Sequence, residues 1–312
     1  MGGVRGEAGN YRLKNDFSLN RIGIMRDDKV IDLSKGYAQM KLKENNLASI
    51  GVFPSDPDQF YSNGKAILEE AKKIDAFLQK EPPEYQYKKE EVVIGPPVPN
   101  PSKIICVGTN YAEHIAEMKG VVPDYPVLFA KFNNALIGPE DSIYKTDQTE
   151  KLDYEAELGV VIGQKASNVK QEDVFEYIAG YTIANDISAR DLQKRTLQWL
   201  QGKSLDHTTP IGPYIVTVDD IPNPNQLNIK SYVNGEMRQS SNTKHQIFNI
   251  PHIVSFISEL ITLEPGDIIL TGTPDGVGMG MNPPTYLKLG DKVRVEIEGI
   301  GMMENEVVAP RQ

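Results

Sequence analysis

From Lys103 onward, the sequence is a series of short apolar and β-branched runs, each closed off by Gly or Pro: KIICVG, PVLFAKF, AELGVVIG, IAGYTIAND, YIVTV, LNIKSYVNG, DIILTGT and KVRVEIEGIG. Runs of this length and composition read as strands, with turns between them. Only three helices are predicted in the same stretch, over Tyr111–Lys119, Ala189–Leu200 and Pro251–Ile261. Strands that do not alternate regularly with helices argue against a doubly wound parallel sheet. The expected fold class is mixed α/β and predominantly β, and no internal repeat is present.

The first 90 residues have a different texture. RIGIMRDDKVIDLS reads as a hairpin turning at Asp27-Asp28. NGKAILEEAKKIDAFLQK reads as a helix, because Ile67, Leu68, Ala71, Ile74, Phe77 and Leu78 recur at helical spacing. Six prolines between Pro82 and Pro101 then mark an extended connector. The expected division is a small N-terminal α+β domain with its connector over residues 1–98, followed by the main domain over residues 99–312.

Composition narrows the function classes. A chain of 312 residues with 39% hydrophobic and 24% charged residues can bury a sizeable core and shows no tract biased towards disorder. No run of 18 apolar residues is present, so no membrane helix is expected. The polar N-terminus lacks the apolar stretch of a secretory signal, and Gly6 stands where a myristoylation site needs Ser or Thr. A cytoplasmic location is the expectation. The net charge of −10 argues against a nucleic-acid partner. The one cysteine, Cys106, excludes an internal disulfide and reads as a core residue within IICVG.

Chemistry concentrates in four segments. In KLDYEAELGVVIG, strand alternation turns Glu155 and Glu157 to one face, roughly 7 Å apart. Such carboxylates repel unless solvated or bridged by a cation, so an exposed edge strand and a metal site both remain open. In YTIANDISARDLQKR, Asp186 ends an apolar strand and Ser188 is placed to cap a following helix. Asp186 either helps that helix start or supplies a third oxygen ligand. Three carboxylates with open positions suit Mg²⁺ or Mn²⁺, and four scattered histidines make a zinc cluster a poor fit. In NYAEHIAEMKG, His114 and Glu117 are i,i+3 neighbours, so the carboxylate can orient the imidazole for proton transfer or simply share a surface helix with it. In QGKSLDHTTPIGP, Lys203 either faces a developing negative charge or is a solvated loop lysine. The glycines of TGTPDGVG allow backbone N–H groups to converge on an anion. No P-loop or dinucleotide pattern accompanies them.

Five ordered motifs, VGTNYAEHIAEM, LDYEAELGVVIG, GYTIANDISARDLQ, QGKSLDHTTPIGP and GDIILTGTPDGVG, make the chain from Lys103 to Val307 resemble the fumarylacetoacetate hydrolase family. The resemblance implies a mixed β-roll catalytic domain and a homodimer. It implies that Glu155, Glu157 and Asp186 bind Mg²⁺ or Mn²⁺. It makes His114 and Glu117 a lid pair, Lys203 an active-site lysine, and Arg190, Gln193 and Thr273 contacts to a bound 2-oxo acid. One departure stands out: relatives read F-x-K-P-x-S-A-L where this chain reads FAKFNNAL, so Phe132 and Asn134 replace Pro and Ser. The N-terminal unit looks like the extra domain of the longer bacterial members.

The activity so implied is metal-dependent cleavage of the C3–C4 bond of a small 2-oxo acid, leaving a pyruvate enolate held on the metal. With a C4 ketone this is acylpyruvate or fumarylpyruvate hydrolysis, and with a C4 carboxylate it is oxaloacetate decarboxylation. The alternative is isomerisation or hydration of an unsaturated 2-oxo diacid. A non-enzymatic binding protein would predict loss of a ligand or of the lid pair, and neither is lost.

Overall fold

The N-terminal unit begins with strand β1 (Glu7–Leu13), which pairs antiparallel with β2 (Arg21–Arg26). The chain then turns at Asp27-Asp28 into β3 (Lys29–Asp32). Asp27 has a φ of 54°, the left-handed conformation that a tight hairpin demands and Asp tolerates, so the expected hairpin is present. This is a computed structural model that describes residues 7–14, 20–44 and 53–310. Residues 1–6, on which the reading of the N-terminus partly rests, lie outside the described residues.

The hairpin's second strand ends at Asp32 because that carboxylate caps a helix, accepting from Lys35 N at 2.9 Å. Helix α1 (Leu33–Lys43) follows, which the sequence reading did not contain. Its Gly36 weakens the helical signal, and the fold uses that residue for close approach: a Cβ there would lie 2.7 Å from Leu78 Cδ1. After α2 (Pro57–Ser62), the expected amphipathic helix is α3 (Gly64–Leu78), burying Ile74 and Leu78. The Pro-rich segment is extended, and part of it is woven into the sheet. Strand β4 (Gln86–Lys88) pairs with β3, and β5 (Val92–Ile94) pairs with β1.

The chain continues through β6 (Ile104–Gly108), α4 (Ala112–Glu117), β7 (Val127–Lys131), β8 (Leu136–Ile137), β9 (Ile143–Tyr144) and β10 (Leu152–Asp153). Strands β11 (Ala156–Ile162), β12 (Ile178–Asn185) and β13 (Ser188–Ala189) lead into α5 (Arg190–Gln193) and α6 (Leu200–Lys203). The remainder comprises β14 (Thr209–Thr217), β15 (Asn228–Val233), β16 (Glu236–Asn242), α7 (Ile250–Leu260), β17 (Ile268–Leu270), β18 (Lys292–Ile297) and β19 (Gly301–Val308). The main sheet runs β4-β3-β2-β1-β14-β12-β11-β17-β6-β7, with β5 and β8 attached at its side. Because β1 pairs with β14 through Ala8 and Ile215, the N-terminal strands extend the same sheet. A five-stranded sheet, β16-β15-β18-β19-β9, forms a second layer. The fold is thus mixed α/β and strand-rich, as the sequence led us to expect.

Strands β11 and β12 sit at the centre of the main sheet and are buried along their whole length. Leu158, Val160 and Ile162 face one core with Ile229, Val295 and Ile297 of the second sheet and Ile253 and Ile257 of α7. Val161, Ala184 and Leu270 face the other core, which contains Leu33, Phe60, Ile74 and Leu78. Burial on both faces explains the unbroken apolar run LGVVI.

One predicted helix fails. The continuous helix expected over Ala189–Leu200 is replaced by the short α5 and α6 with an irregular segment between them. In its C-terminal half the leucines lack a core to pack on: Leu197 is 98% exposed and Leu200 47%. A helix in water without a buried face does not propagate.

Leu158→Ala removes packing from the strand that carries the site. It should lower unfolding free energy in urea titration by about 2–5 kcal/mol. A loss under about 1 kcal/mol would show that this core is loosely packed there.

Candidate active site

The register of β11 against β12 gathers the acidic residues. Glu157 lies opposite Ala184, and Asp186 N donates to Glu155 O at 2.9 Å. Alternation then turns Glu155, Glu157 and Asp186 to one face at the end of the pair. Their ligand atoms lie within 4.8 Å of one another, and all three residues are buried. Since β11 is flanked by β12 and β17, the edge-strand alternative is removed. Ser188 does not cap a helix: its hydroxyl donates to Asp186 O at 2.9 Å, and α5 starts without a side-chain cap. Asp186 likewise leaves the helix start alone, because two lysines claim its carboxylate.

Those lysines are Lys203 and Lys131. Lys203 is buried, not a solvated loop residue, and its Nζ lies 2.7 Å from both Glu155 Oε2 and Asp186 Oδ2. Phe129 covers it, with Nζ 4.9 Å from the ring centroid. Lys131 Nζ lies 2.7 Å from Asp186 Oδ1. Arg190 Nη1 reaches Glu155 Oε1 at 2.7 Å, and its Nε bonds Asp153 Oδ2 at 2.8 Å. The remaining nitrogen, Nη2, is buried with no hydrogen-bond partner among the described residues. Burial alone would raise the Glu155 carboxyl, but Lys203 and Arg190 overcome it and hold that group well below the usual range. Burial likewise opposes the charge on Lys203, yet Asp186 and Glu155 hold its pKa above the ordinary lysine value.

Glu157 is the exception. Among the described residues no Lys or Arg pairs with it, and its Oε2 accepts from Gly272 N at 2.7 Å. Burial, then Asp186 and Glu155, push its carboxyl well above the normal range. Four buried carboxyl groups (Asp153, Glu155, Glu157 and Asp186) face three buried cations, so Glu157 is left one cation short. That deficit, together with oxygen lone pairs left on each carboxylate, fits a hard divalent cation. Two of the histidines have other partners, His207 stacking on Tyr144 and His245 pairing with Glu113. Cys106 lies in the core of β6, and burial followed by Asp186 pushes its thiol up, as suits an inert residue.

On helix α4, His114 Nδ1 lies 3.3 Å from Glu117 Oε2, so the i,i+3 pair forms and leaves Nε2 for the cavity. Gln193 Oε1 accepts from Arg190 Nη1 at 3.2 Å. Thr273 Oγ1 accepts from Gln239 Nε2 at 2.8 Å, which leaves its own hydroxyl proton free to donate. A cavity of about 380 Å³ unites these groups: His114, Glu155, Glu157, Arg190, Gln193, Lys203 and Thr273 all line it. Phe129, Trp199, Met118 and Met279 supply apolar walls. All of the sequence-derived site residues except Glu117 and Asp186 line this space directly, and those two bond residues that do.

Two residues escaped the sequence reading. Lys131 ends the apolar run PVLFAK, and a lysine there is a mark of a buried partner. Asp153 shares the strand parity of Glu155 and Glu157, which would have found it. The departure at Phe132 and Asn134 does not reach the cavity. Phe132 is exposed, and Asn134 Nδ2 bonds Asp206 and Ser204 O.

A family model described as fumarylacetoacetate (FAA) hydrolase C-terminal matches residues 103–308. Oxaloacetate tautomerase Fahd2a, mitochondrial, of Rattus norvegicus is 44% identical over 82% of this chain and 81% of its own length. Oxaloacetate tautomerase YisK of Bacillus subtilis is 40% identical over 91% of this chain and 94% of its own. Among solved structures, maleylpyruvate hydrolase from Sphingobium, in complex with manganese(II) and pyruvate, superposes with a TM-score of 0.73 at 25% identity, covering 98% of this chain and 100% of that one.

Lys131→Met strips Asp186 of a buried partner. It should cost about 3 kcal/mol of stability in urea denaturation, and added Mn²⁺ should restore part of the loss. Stability unchanged within about 0.5 kcal/mol would show that Asp186 does not depend on Lys131.

Proposed function

The chain belongs to the fumarylacetoacetate hydrolase family, and from that premise we propose that it interconverts the enol and keto forms of oxaloacetate or a closely related small 2-oxo diacid, with Mg²⁺ or Mn²⁺ as cofactor. The observation that carries this reading is the make-up of one cavity: buried carboxylates, Arg190 with an unpartnered Nη2 and Lys203, together with the proton-carrying pair His114–Glu117. The relatives named oxaloacetate tautomerase support the choice of substrate.

Glu155, Glu157 and Asp186 would hold the cation, which when bound supplies a Lewis acid that polarises the 2-oxo group. Arg190, oriented by Asp153 and Glu155, offers Nη2 to a substrate carboxylate, in the charge-assisted mode that guanidinium favours. Gln193 and the Thr273 hydroxyl add neutral donors on the same cavity. Lys203 keeps its proton and faces developing negative charge as an electrostatic stabiliser, not as a base. His114 takes the proton from C3 in the keto-to-enol direction and returns it in reverse, while Glu117 stabilises the imidazolium. The proton at the substrate's O2 exchanges with water entering the cavity. Phe129, Trp199 and Met279 limit that water, which strengthens each charge contact.

Cleavage of the C3–C4 bond is the second reading, and the maleylpyruvate hydrolase neighbour supports it. Here His114 and Glu117 activate water for attack at a C4 ketone, whereas a C4 carboxylate leaves as CO₂ without a water nucleophile. The two readings share every residue and differ in the bond that breaks.

The test supplies the Mg²⁺- or Mn²⁺-loaded protein with the enol form of oxaloacetate. Near-ultraviolet absorbance follows the enol, and pyruvate is assayed in parallel, with acetylpyruvate as a second substrate. Metal-dependent loss of enol without matching pyruvate is expected. Pyruvate released in step with substrate consumption would assign cleavage instead. Glu157→Gln should lower the tautomerase rate by about 100-fold or more with an unchanged circular dichroism spectrum; retained activity would exclude Glu157 from the metal site.

A further inference from the structure

The segment from Thr271 to Gly280, read from sequence as a turn able to receive an anion, receives three carboxylates of this chain. Gly272 N donates to Glu157 Oε2 at 2.7 Å. Gly278 N and Met279 N donate to the Asp153 carboxylate at 2.7 and 3.0 Å. Between them, Gly276 N donates to Glu117 Oε1 at 3.0 Å. Glu117 therefore uses one oxygen to fasten α4 to this loop and the other to face His114 Nδ1 at 3.3 Å.

Room for Glu117 depends on Gly280. A Cβ built on Gly280 would overlap the Cγ, Cδ and Oε1 atoms of Glu117. All of these belong to the end of one flexible side chain, and no backbone atom is among them. The neighbouring glycines differ: a Cβ at Gly276 would overlap Arg238 O, and one at Gly278 would overlap Thr285 O. Gly280 also lacks the positive φ of Gly276, so alanine is conformationally acceptable there. Of the three, Gly280 is the position at which a methyl group evicts Glu117 and leaves the loop's backbone in place.

We propose that Gly280, with the Gly276 amide, forms a seat for the Glu117 carboxylate and so positions His114 for proton transfer. This makes Gly280 a positioning residue that touches no substrate. The proposal rests on the reading in which His114 and Glu117 carry the proton, whichever bond of the substrate reacts. Seating Glu117 fixes its second oxygen against Nδ1 and turns Nε2 to the cavity. Without the seat, α4 loses its side-chain tie to the glycine loop.

The test compares Gly280→Ala, Glu117→Ala and the double variant with the unaltered protein, all loaded with Mn²⁺. Amide hydrogen exchange of Ala112–Glu117 reads the seat without reference to activity. Each single variant should speed that exchange by about ten-fold or more, the scale of one charge-assisted hydrogen bond. The double variant should exchange no faster than Glu117→Ala. In the enol assay, Gly280→Ala should lower kcat by about ten-fold with little change in KM, and should cost nothing further in the Glu117→Ala background. Losses that add, or an unchanged kcat despite faster exchange, would overturn the proposal. So would unchanged exchange in Glu117→Ala, which needs no folded Gly280→Ala protein. An unaltered protein that turns over no enol, while exchange responds as described, would strike the proposed reaction and leave the seat standing.

Discussion

At the end of β11 and β12, four carboxylates are taken out of water within a few ångströms of each other, and the surrounding structure is arranged around that fact. Buried charges without partners cost several kcal/mol each. Every one of the four accordingly has hydrogen-bond donors: Lys203 bridges Glu155 and Asp186, Lys131 completes Asp186, and Arg190 spans Asp153 and Glu155. Among the described residues, none supplies a cation to Glu157. The irregular path from Asp186 to Lys203 serves this demand. The chain gives up a continuous helix there and delivers Arg190 and Lys203 to the carboxylates in two short turns.

The loop from Thr271 to Gly280 does for the backbone what the lysines do for side chains. Its amides carry partial positive charge, and glycines let carboxylates approach them closely. One stretch thus holds a proposed metal ligand, the residue that orients Arg190, and the partner of His114. The proposed sites for the cation, the substrate carboxylate and the transferred proton are thereby held in mutual register by a single piece of chain. Strand β17, which precedes the loop, is itself fixed between β11 and β6, so the loop inherits the rigidity of the sheet centre.

Tautomerisation and C3–C4 cleavage ask nearly the same things of this cavity. Both need electron withdrawal at the 2-oxo group, a held carboxylate and a proton carrier near C3. They diverge in the bond that breaks, C3–H or C3–C4, and in whether a water nucleophile must reach C4. The apolar walls contributed by Phe129, Trp199 and Met279 bear on the hydrolytic reading alone, which needs a water nucleophile at C4.

Local patterns made much of this readable from the sequence. Strand alternation put Glu155 and Glu157 on one face, helical spacing paired His114 with Glu117, and the Asp27-Asp28 turn marked its hairpin. Asp186 and Lys203 stood out as candidates with alternatives open, and motif resemblance chose between those and added Arg190, Gln193 and Thr273. Other features were decided only by tertiary structure. Lys131 meets Asp186 across 55 residues, and Gly276 meets Glu117 across 159. Helix α1 exists because Asp32 caps it and α3 packs on it, while the helix expected over Ala189–Leu200 fails because Leu197 has nothing to bury against. The division has one physical cause. Periodicity and capping act within a few residues, so a sequence displays them. Charge compensation and burial act through space, between segments that only the order of strands in the sheet brings together.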